Sequence, residues 1–167
     1  MRKNKCLLII GAGGHGKVVK EIAEVLGYTN ISFLDDNSPE AIGKIADSKA
    51  YVNQYSEAFV GIGNNKYRGE ILERLEQEGF GIPILIHPSA YISKTAMIEK
   101  GTVVEPKAIV NANSKIGLGC IISVGAIVDH DAVLEDCVHV NAGAICKAGS
   151  FVAKETKLEA GQVVKGY

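Results

Sequence analysis

The second half of the chain repeats an aliphatic residue with a period of six. A mostly small side chain follows four positions after each aliphatic one. Helices repeat at 3.6 residues and exposed strands at two, so neither produces this series. A period of six is typical of a coil with three hexads per turn, in which the aliphatic residue points into a narrow triangular prism. The positions of this series are Ile92, Ile98, Val104, Val110, Ile116, Ile122, Val128, Leu134, Val140, Cys146, Val152, Leu158 and Val164, of which only the small, buriable thiol Cys146 is not aliphatic.

Glycines recur within the same region at positions that suit tight corners with a positive φ. Each buried aliphatic side chain contributes about 1.5–3 kcal/mol, and stacked turns join these contributions into one continuous core. The pattern therefore predicts a parallel β-helix of about four turns, which we assign to residues 88–167. The glycines concerned are Gly101, Gly119, Gly125, Gly143, Gly149 and Gly161.

The first half alternates apolar runs with segments of helical spacing, which predicts a short parallel sheet of α/β type over residues 1–87. The predicted strands are CLLIIG, ISFLDD, AFVGIGNN and IPILIHP, the last of them closed by Pro88. The predicted helices are HGKVVKEIAEVLGY and KYRGEILERLEQEGF. Ligands of such sheets bind at the carboxyl ends of the strands, where the glycine turn, Asp35–Asp36 and Gly63–Asn65 are expected to gather.

The glycine turn fits the dinucleotide pattern G-x-G-x-x-G through Gly11, Gly13 and Gly16. On its own this match is weak, because an empty strand-to-helix turn also favours glycine. Asp35 and Asp36 follow about 20 residues later, where an acid recognises ribose. A solvated turn is the alternative for these two carboxylates.

Composition limits the classes of partner. The 167 residues carry a formal charge of −1, so the chain has no general electrostatic attraction to nucleic acid. Its four cysteines show no C-x-x-C spacing, which favours reduced thiols in a cytoplasmic protein. No apolar stretch approaches the roughly 20 residues of a membrane span, so no membrane insertion is expected.

Two histidines interrupt the hexads in the stretch VDHDAVLEDCVHVNAGA, namely His130 and His139. A repeat that needs only small and aliphatic residues has no structural use for imidazole, although a solvent-facing histidine on a coil is common. Asp131 directly follows His130, and a neighbouring carboxylate can fix the tautomer of an imidazole and raise its basicity. This pair is the strongest candidate for chemistry.

Together these motifs resemble the left-handed, trimeric hexapeptide-repeat acyltransferases that carry a small Rossmann-like domain in front. The matching motifs are GA-x-GHG-x-V at 11–18, DD at 35–36 and GNN at 63–65. The chain looks like the nucleotide-sugar N-acetyltransferases of bacterial glycan pathways, which acetylate UDP-4-amino-4,6-dideoxy sugars. The resemblance implies an acetyl-CoA-dependent N-acetyltransferase, without metal, that forms a homotrimer with active sites between subunits.

The resemblance also assigns roles to residues. His130 is the implied base that takes a proton from the sugar amine, and Asp131 raises its basicity. Direct attack on the thioester needs no protein nucleophile, and we interpret the cysteines as packing residues. His139 and Gly149 are the implied contacts of acetyl-CoA. The implied nucleotide-sugar contacts are Gly13, Gly14, His15, Asp35, Asp36, Asn64 and Asp129.

Some features leave the function open. Ser123 stands where relatives usually have an asparagine near the substrate. Relatives also continue beyond the position of Tyr167, so either a compact member with a shorter wall of the acetyl-CoA site or a truncated chain is expected. A sialic-acid-type O-acetyltransferase and a non-catalytic nucleotide-sugar-binding trimer are alternatives. A metal-dependent lyase like the γ-type carbonic anhydrases is a further alternative, but it needs three converging histidines and the hexads offer two.

Overall fold

The computed structural model describes residues 5–167, and the chain forms two compact units, Met1–Pro83 and Ile84–Tyr167. The first unit is a four-stranded parallel sheet in the order β3-β2-β1-β4, with two α-helices and one 3₁₀ helix. Its elements are β1 (Lys5–Ile10), α1 (Gly14–Val25), β2 (Tyr28–Leu34), β3 (Ala41–Gly43), the 3₁₀ helix (Ile45–Tyr51), β4 (Glu57–Val60) and α2 (Asn65–Glu78).

The apolar run of β1 explains its central place in this sheet. The side chains of residues 7–10 are completely buried, as expected for a strand that is covered on both faces. Gly27 has a φ of 87° just beyond α1, and Gly79 closes α2 with a φ of 97°. Among residues 5–167, neither helix combines the length and the apolar character needed to cross a bilayer.

The second unit is a left-handed parallel β-helix, as predicted. Its two-residue strands form three sheets, in which paired strands lie eighteen residues apart along the chain. The strands are β5 (Leu85–Ile86), β6 (Tyr91–Ile92), β7 (Met97–Ile98), β8 (Val103–Val104), β9 (Ile109–Val110), β10 (Lys115–Ile116), β11 (Ile121–Ile122), β12 (Ile127–Val128), β13 (Val133–Leu134), β14 (His139–Val140), β15 (Ile145–Cys146), β16 (Phe151–Val152) and β17 (Val163–Val164).

These strands define three faces of the prism. Face 1 contains β5, β8, β11 and β14; face 2 contains β6, β9, β12, β15 and β17; face 3 contains β7, β10, β13 and β16. In every strand the second residue points inward and joins the core, together with the small side chains that precede the strands. The predicted inward series is thereby confirmed. Burial raises the pKa of the Cys146 thiol to about 11, which suits a packing role.

One predicted strand belongs elsewhere. The segment IPILIHP was expected to be the fourth strand of the α/β sheet, but β5 within it pairs with β8 of the β-helix. The reason is its register: Ile86 lies six residues before Ile92 and therefore continues the hexad series by one step. The fourth strand of the first unit is β3 instead, which pairs with β2.

The corners of the β-helix follow the same period. Every sixth residue from Gly101 to Gly161 has a φ between 57° and 72°, in the left-handed region. The six glycines predicted at corners all occupy such positions. L-residues adopt this conformation at a cost that is smallest for asparagine and aspartate. The five corners without glycine are Lys107, Asn113, Asp131, Cys137 and Glu155.

Candidate active site

His130 and Asp131 form a hydrogen-bonded pair at the corner between β12 and β13. The Nδ1 atom of His130 lies 2.7 Å from Oδ2 of Asp131, and the two side chains are 44% and 45% exposed. An ionised carboxylate only accepts hydrogen bonds, so Nδ1 of His130 carries the proton. The neutral imidazole therefore presents a lone pair at Nε2, the atom that can act as a base.

Electrostatics favour this basic role. The hydrogen bond that His130 donates to Asp131, followed by the charges of Asp129 and Asp131, raises the pKa of His130 above its usual value. The same bond, followed by a hydrogen bond from Asn113, lowers the pKa of Asp131. An imidazole of raised basicity, held beside a carboxylate that stays ionised, is suited to accept and return a proton near neutral pH.

Asp129 supports the backbone of this corner. Its Oδ1 atom accepts hydrogen bonds from the backbone N–H of His130, at 2.8 Å, and from Nδ2 of Asn111, at 3.0 Å. These two bonds lower the pKa of Asp129. The structure therefore places the predicted sugar contact directly beside the proposed base, where it also anchors the corner. The contact with Asn111, one turn earlier, was not predicted.

Gly149 lies next to the pair, whereas His139 lies on another side of the prism. Gly149 is one turn beyond Asp131, and its N–H donates to the carbonyl oxygen of His130 at 2.9 Å. His139 is the first residue of β14 on face 1, and its Nε2 atom lies 3.0 Å from Oγ of Ser123. A single chain therefore brings Gly149, but not His139, to the corner of His130.

Two further side chains contact the pair, and sequence reasoning missed both. Asn113 donates from Nδ2 to Oδ1 of Asp131 at 3.2 Å. The hydroxyl of Tyr167 lies 3.4 Å from Oδ2 of Asp131, and its ring covers Gly149, where an added Cβ would lie 1.9 Å from the ring. Both contacts could have been predicted from the eighteen residues of each turn, because this spacing places residues 113, 131, 149 and 167 at one corner.

The glycines of the turn before α1 form two groups. Two of them are needed because the chain packs closely there, and two face open space. A Cβ on Gly16 would lie 2.0 Å from the carbonyl oxygen of Gly11, so these two glycines allow a close approach of the chain. Gly13 and Gly14 have open space above them. They form the start of α1 together with His15, and the amides and dipole of such a helix end attract anions. This arrangement suits a diphosphate.

The two aspartates after β2 have different surroundings. Asp35 accepts hydrogen bonds from the backbone N–H groups of Ala12, at 2.8 Å, and of two residues in its own loop, at 2.8 and 2.9 Å. These bonds lower its pKa and fasten the glycine turn to the end of β2. Asp36 is exposed, and its Oδ1 atom accepts from the N–H of Ile45 at 3.1 Å.

Asn64 lies at the same edge of the sheet and caps a helix. Its Oδ1 atom accepts from the N–H of Tyr67 at 2.9 Å, which satisfies one of the first amides of α2. Because β1 and β4 are paired in parallel, α1 and α2 both begin at this edge. Across residues 5–167, no group of three or more histidine, cysteine or acidic side chains forms a metal site within the chain.

Sequence comparison finds relatives of both units. The family described as the PglD N-terminal domain matches residues 6–75. A UDP-N-acetylbacillosamine N-acetyltransferase from Bacillus subtilis (strain 168) is 32% identical over 114 residues, which cover 60% of this chain and 51% of that relative. The matched part of the chain thus spans about half the length of this curated relative.

Structural comparison covers nearly the whole chain. The acetyltransferase domain of PglB from Neisseria gonorrhoeae FA1090, in complex with acetyl coenzyme A, is 38% identical with a TM-score of 0.90. The match covers 96% of this chain and 82% of that one. A variant of perosamine N-acetyltransferase from Caulobacter crescentus, in complex with CoA and GDP-perosamine, is 28% identical with a TM-score of 0.80, covering 96% and 89% of the two chains.

Proposed function

Because the chain belongs to the hexapeptide-repeat family of nucleotide-sugar N-acetyltransferases, we propose that it acetylates the amino group of a nucleotide-linked amino sugar with acetyl-CoA. The observation that carries the proposal is the pairing of His130 with Asp131, which leaves Nε2 of the imidazole as a base. The acceptor that we favour is of the UDP-4-amino-4,6-dideoxy-N-acetylglucosamine type, in line with the Bacillus subtilis relative. Reduced thiols and these two co-substrates fit a cytoplasmic reaction.

The reaction requires one proton acceptor and correct alignment. The sugar nitrogen attacks the thioester carbonyl carbon, a C–N bond forms, and the C–S bond breaks. Nε2 of His130 takes the proton from the nitrogen and passes it to the departing CoA sulfur, so that the imidazole returns to its neutral state. Asp131 stabilises the imidazolium in between, as a carboxylate does for a catalytic histidine.

The proposal includes a homotrimer in which the subunits pack against one another through face 2. The outward side chains of face 2 are all apolar and remain partly or fully exposed in one chain. On face 1 the outward residues Leu85, Val103 and Ile121 are already buried, while face 3 includes Lys115. An apolar column of this kind stabilises association when it is covered. The face 2 column is Tyr91, Ile109, Ile127, Ile145 and Val163.

Single substitutions of Asp35 and Asp36 distinguish a role in nucleotide binding from a role in supporting the glycine turn. We expect Asp36→Ala to raise the KM for the nucleotide sugar about tenfold, the equivalent of 1.4 kcal/mol, with little change in stability. Asp35→Ala removes three backbone contacts, so it should lower the free energy of unfolding by about 1–2 kcal/mol. Steady-state kinetics and urea unfolding measure the two effects. A rise in the KM for acetyl-CoA alone in Asp36→Ala would contradict the assignment.

The pH dependence follows from the raised pKa of His130. The base must be neutral, so kcat/KM should rise with pH through a pKa above the usual histidine value of about 6.5. Asp131→Asn removes the charge that holds the proton on His130. We therefore expect the acidic limb of the pH profile to move to lower pH while the maximal kcat falls. An acidic limb that stays in place would show that another group titrates.

The proposal is tested with a panel of UDP- and GDP-linked amino sugars and acetyl-CoA. Thiol release reports turnover, and the mass of the product reports whether one acetyl group was added. Acetylation at nitrogen of a UDP-linked amino sugar is the expected result. Acetylation only at oxygen would favour the sialic-acid-type reaction, and binding without thiol release would favour a non-catalytic trimer. Both outcomes overturn the proposed function.

A further inference from the structure

We propose that Asn113 is a positioning residue that holds Asp131 in the orientation required by His130. The proposal rests on the proposed function for its kinetic consequences, while its structural part concerns this chain alone. The amide of Asn113 donates to Oδ1 of Asp131 at 3.2 Å, and Oδ2 of the same carboxylate receives Nδ1 of His130 at 2.7 Å. The two carboxylate oxygens thus have separate partners.

The position of Asn113 is itself fixed by the fold. Asn113 lies one turn before Asp131 at the same corner, and both have a left-handed backbone, with φ values of 58° and 57°. The N–H of Asn113 donates to Oγ1 of Thr95, one further turn back, at 3.0 Å. A column of hydrogen bonds along the corner therefore runs from Thr95 through Asn113 to the proposed catalytic pair.

Asparagine suits both requirements of this position. It tolerates a positive φ better than most residues, and its side-chain amide supplies an N–H donor that aspartate at neutral pH lacks. Lys107 occupies the preceding corner with a φ of 61°, but as an exposed side chain on a different edge of the prism. Asparagine at position 113 is thus explained both by the N–H donor of its side chain and by its tolerance of a positive φ.

The orientation of Asp131 matters because an imidazole has two neutral tautomers. Its proton can reside on Nδ1 or on Nε2, and the partner of one nitrogen decides which form prevails. Asp131 is 45% exposed, so without Asn113 its carboxylate can rotate toward solvent. His130 would then lose the acceptor that keeps the proton on Nδ1, and Nε2 would less often be the base. The other groups that face His130 are Asp129 and the Tyr167 hydroxyl.

The test uses the 167-residue chain labelled with nitrogen-15, and reads the tautomer and titration of His130 by NMR. In Asn113→Gly we expect the Nε2-protonated tautomer to gain population and the pKa of His130 to move back toward its ordinary value. Lys107→Gly is the matched control, since it relieves the same backbone conformation at another corner. It should leave both readings at their wild-type values. Identical readings in the two glycine variants and the wild type would overturn the proposal.

A second variant separates hydrogen bonding from space filling. Asn113→Asp keeps the shape and the tolerance of a positive φ, but it replaces the donor by a carboxylate that repels Asp131. We expect Asn113→Asp and Asn113→Gly each to lower kcat by about 10-fold, with an unchanged KM for acetyl-CoA. Wild-type kcat and tautomer in Asn113→Asp would show that Asn113 is only a spacer.

The two readouts also separate this inference from the proposed function. The NMR measurement needs neither acetyl-CoA nor an amino sugar, so it decides the role of Asn113 even if no sugar of the panel is acetylated. Conversely, acetylation of the panel sugars with an unperturbed tautomer in Asn113→Gly would support the proposed function and overturn the positioning role.

Discussion

His130→Ala is expected to lower the kcat of acetyl transfer by about 10²–10⁴-fold, the usual contribution of a positioned general base. The remaining activity reflects the alignment of two bound substrates, which the substitution leaves in place. Because His130 is partly exposed at a corner and lies outside the hydrophobic core, the variant should fold and assemble normally. Thiol release measures kcat, and circular dichroism with size-exclusion chromatography checks the fold.

His87→Ala is a suitable control for this experiment. The imidazole of His87 is bonded within its own turn, with Nδ1 2.8 Å from Oγ of Ser89 and accepting from the Ser89 N–H at 3.1 Å. We expect the kcat of the His87→Ala variant to stay close to that of the wild type. An unchanged kcat in His130→Ala would remove this residue from the mechanism, because no other group in the proposal accepts the amine proton.

If the chain forms the homotrimer proposed above, Ile127→Asp is expected to convert it into single chains. Ile127 is the middle residue of the outward column on face 2, so covering that column would bury the new carboxylate among apolar side chains without a partner. Light scattering coupled to size-exclusion chromatography should then give the mass of one chain, 17.7 kDa, in place of three times that value. The variant should also lose acetyl transfer, because the corner of His130 borders face 2 and, in the proposed trimer, a neighbouring subunit would complete the site.

The matched control for assembly is Phe151→Asp. Phe151 is likewise the first, outward residue of its strand, but it lies on face 3 and is 60% exposed. The same change from an apolar residue to aspartate should leave the trimer intact there. If Ile127→Asp retained the trimeric mass, face 2 would not be the interface, and the apolar column would need another explanation.

Much of the fold could be read from local periodicity. The hexad series marks an inward residue in each strand, and the structure confirms these positions from Val104 to Leu158 as core. Gly79 and the apolar spacing before it likewise define the end and the buried face of α2. Such features depend on each segment's own geometry, so they need no knowledge of distant residues. The error at β5 arose because two apolar residues fit either unit until their pairing partner is known.

The candidate site was only partly predictable for the same reason. His130 and Asp131 are adjacent in the sequence, so their pairing was a natural expectation. The contact of Asn113 with Asp131 joins residues eighteen apart, and its geometry emerges only once the coil is closed. Asp35 could be recognised as an acid in a nucleotide-binding position, but its three contacts to backbone N–H groups depend on how β2 meets the glycine turn.

The local pattern of the sequence is enough to predict a prism of hexads that follows an α/β unit along the chain, because aliphatic periodicity and glycine corners act over a few neighbouring positions. Which polar atoms meet across successive turns, and which outward faces stay uncovered, becomes visible only in the folded chain. These features depend on the rise and rotation of the whole coil. A hydrogen bond has to match its donor and acceptor within a few tenths of an ångström, and a repeat pattern does not specify position that finely.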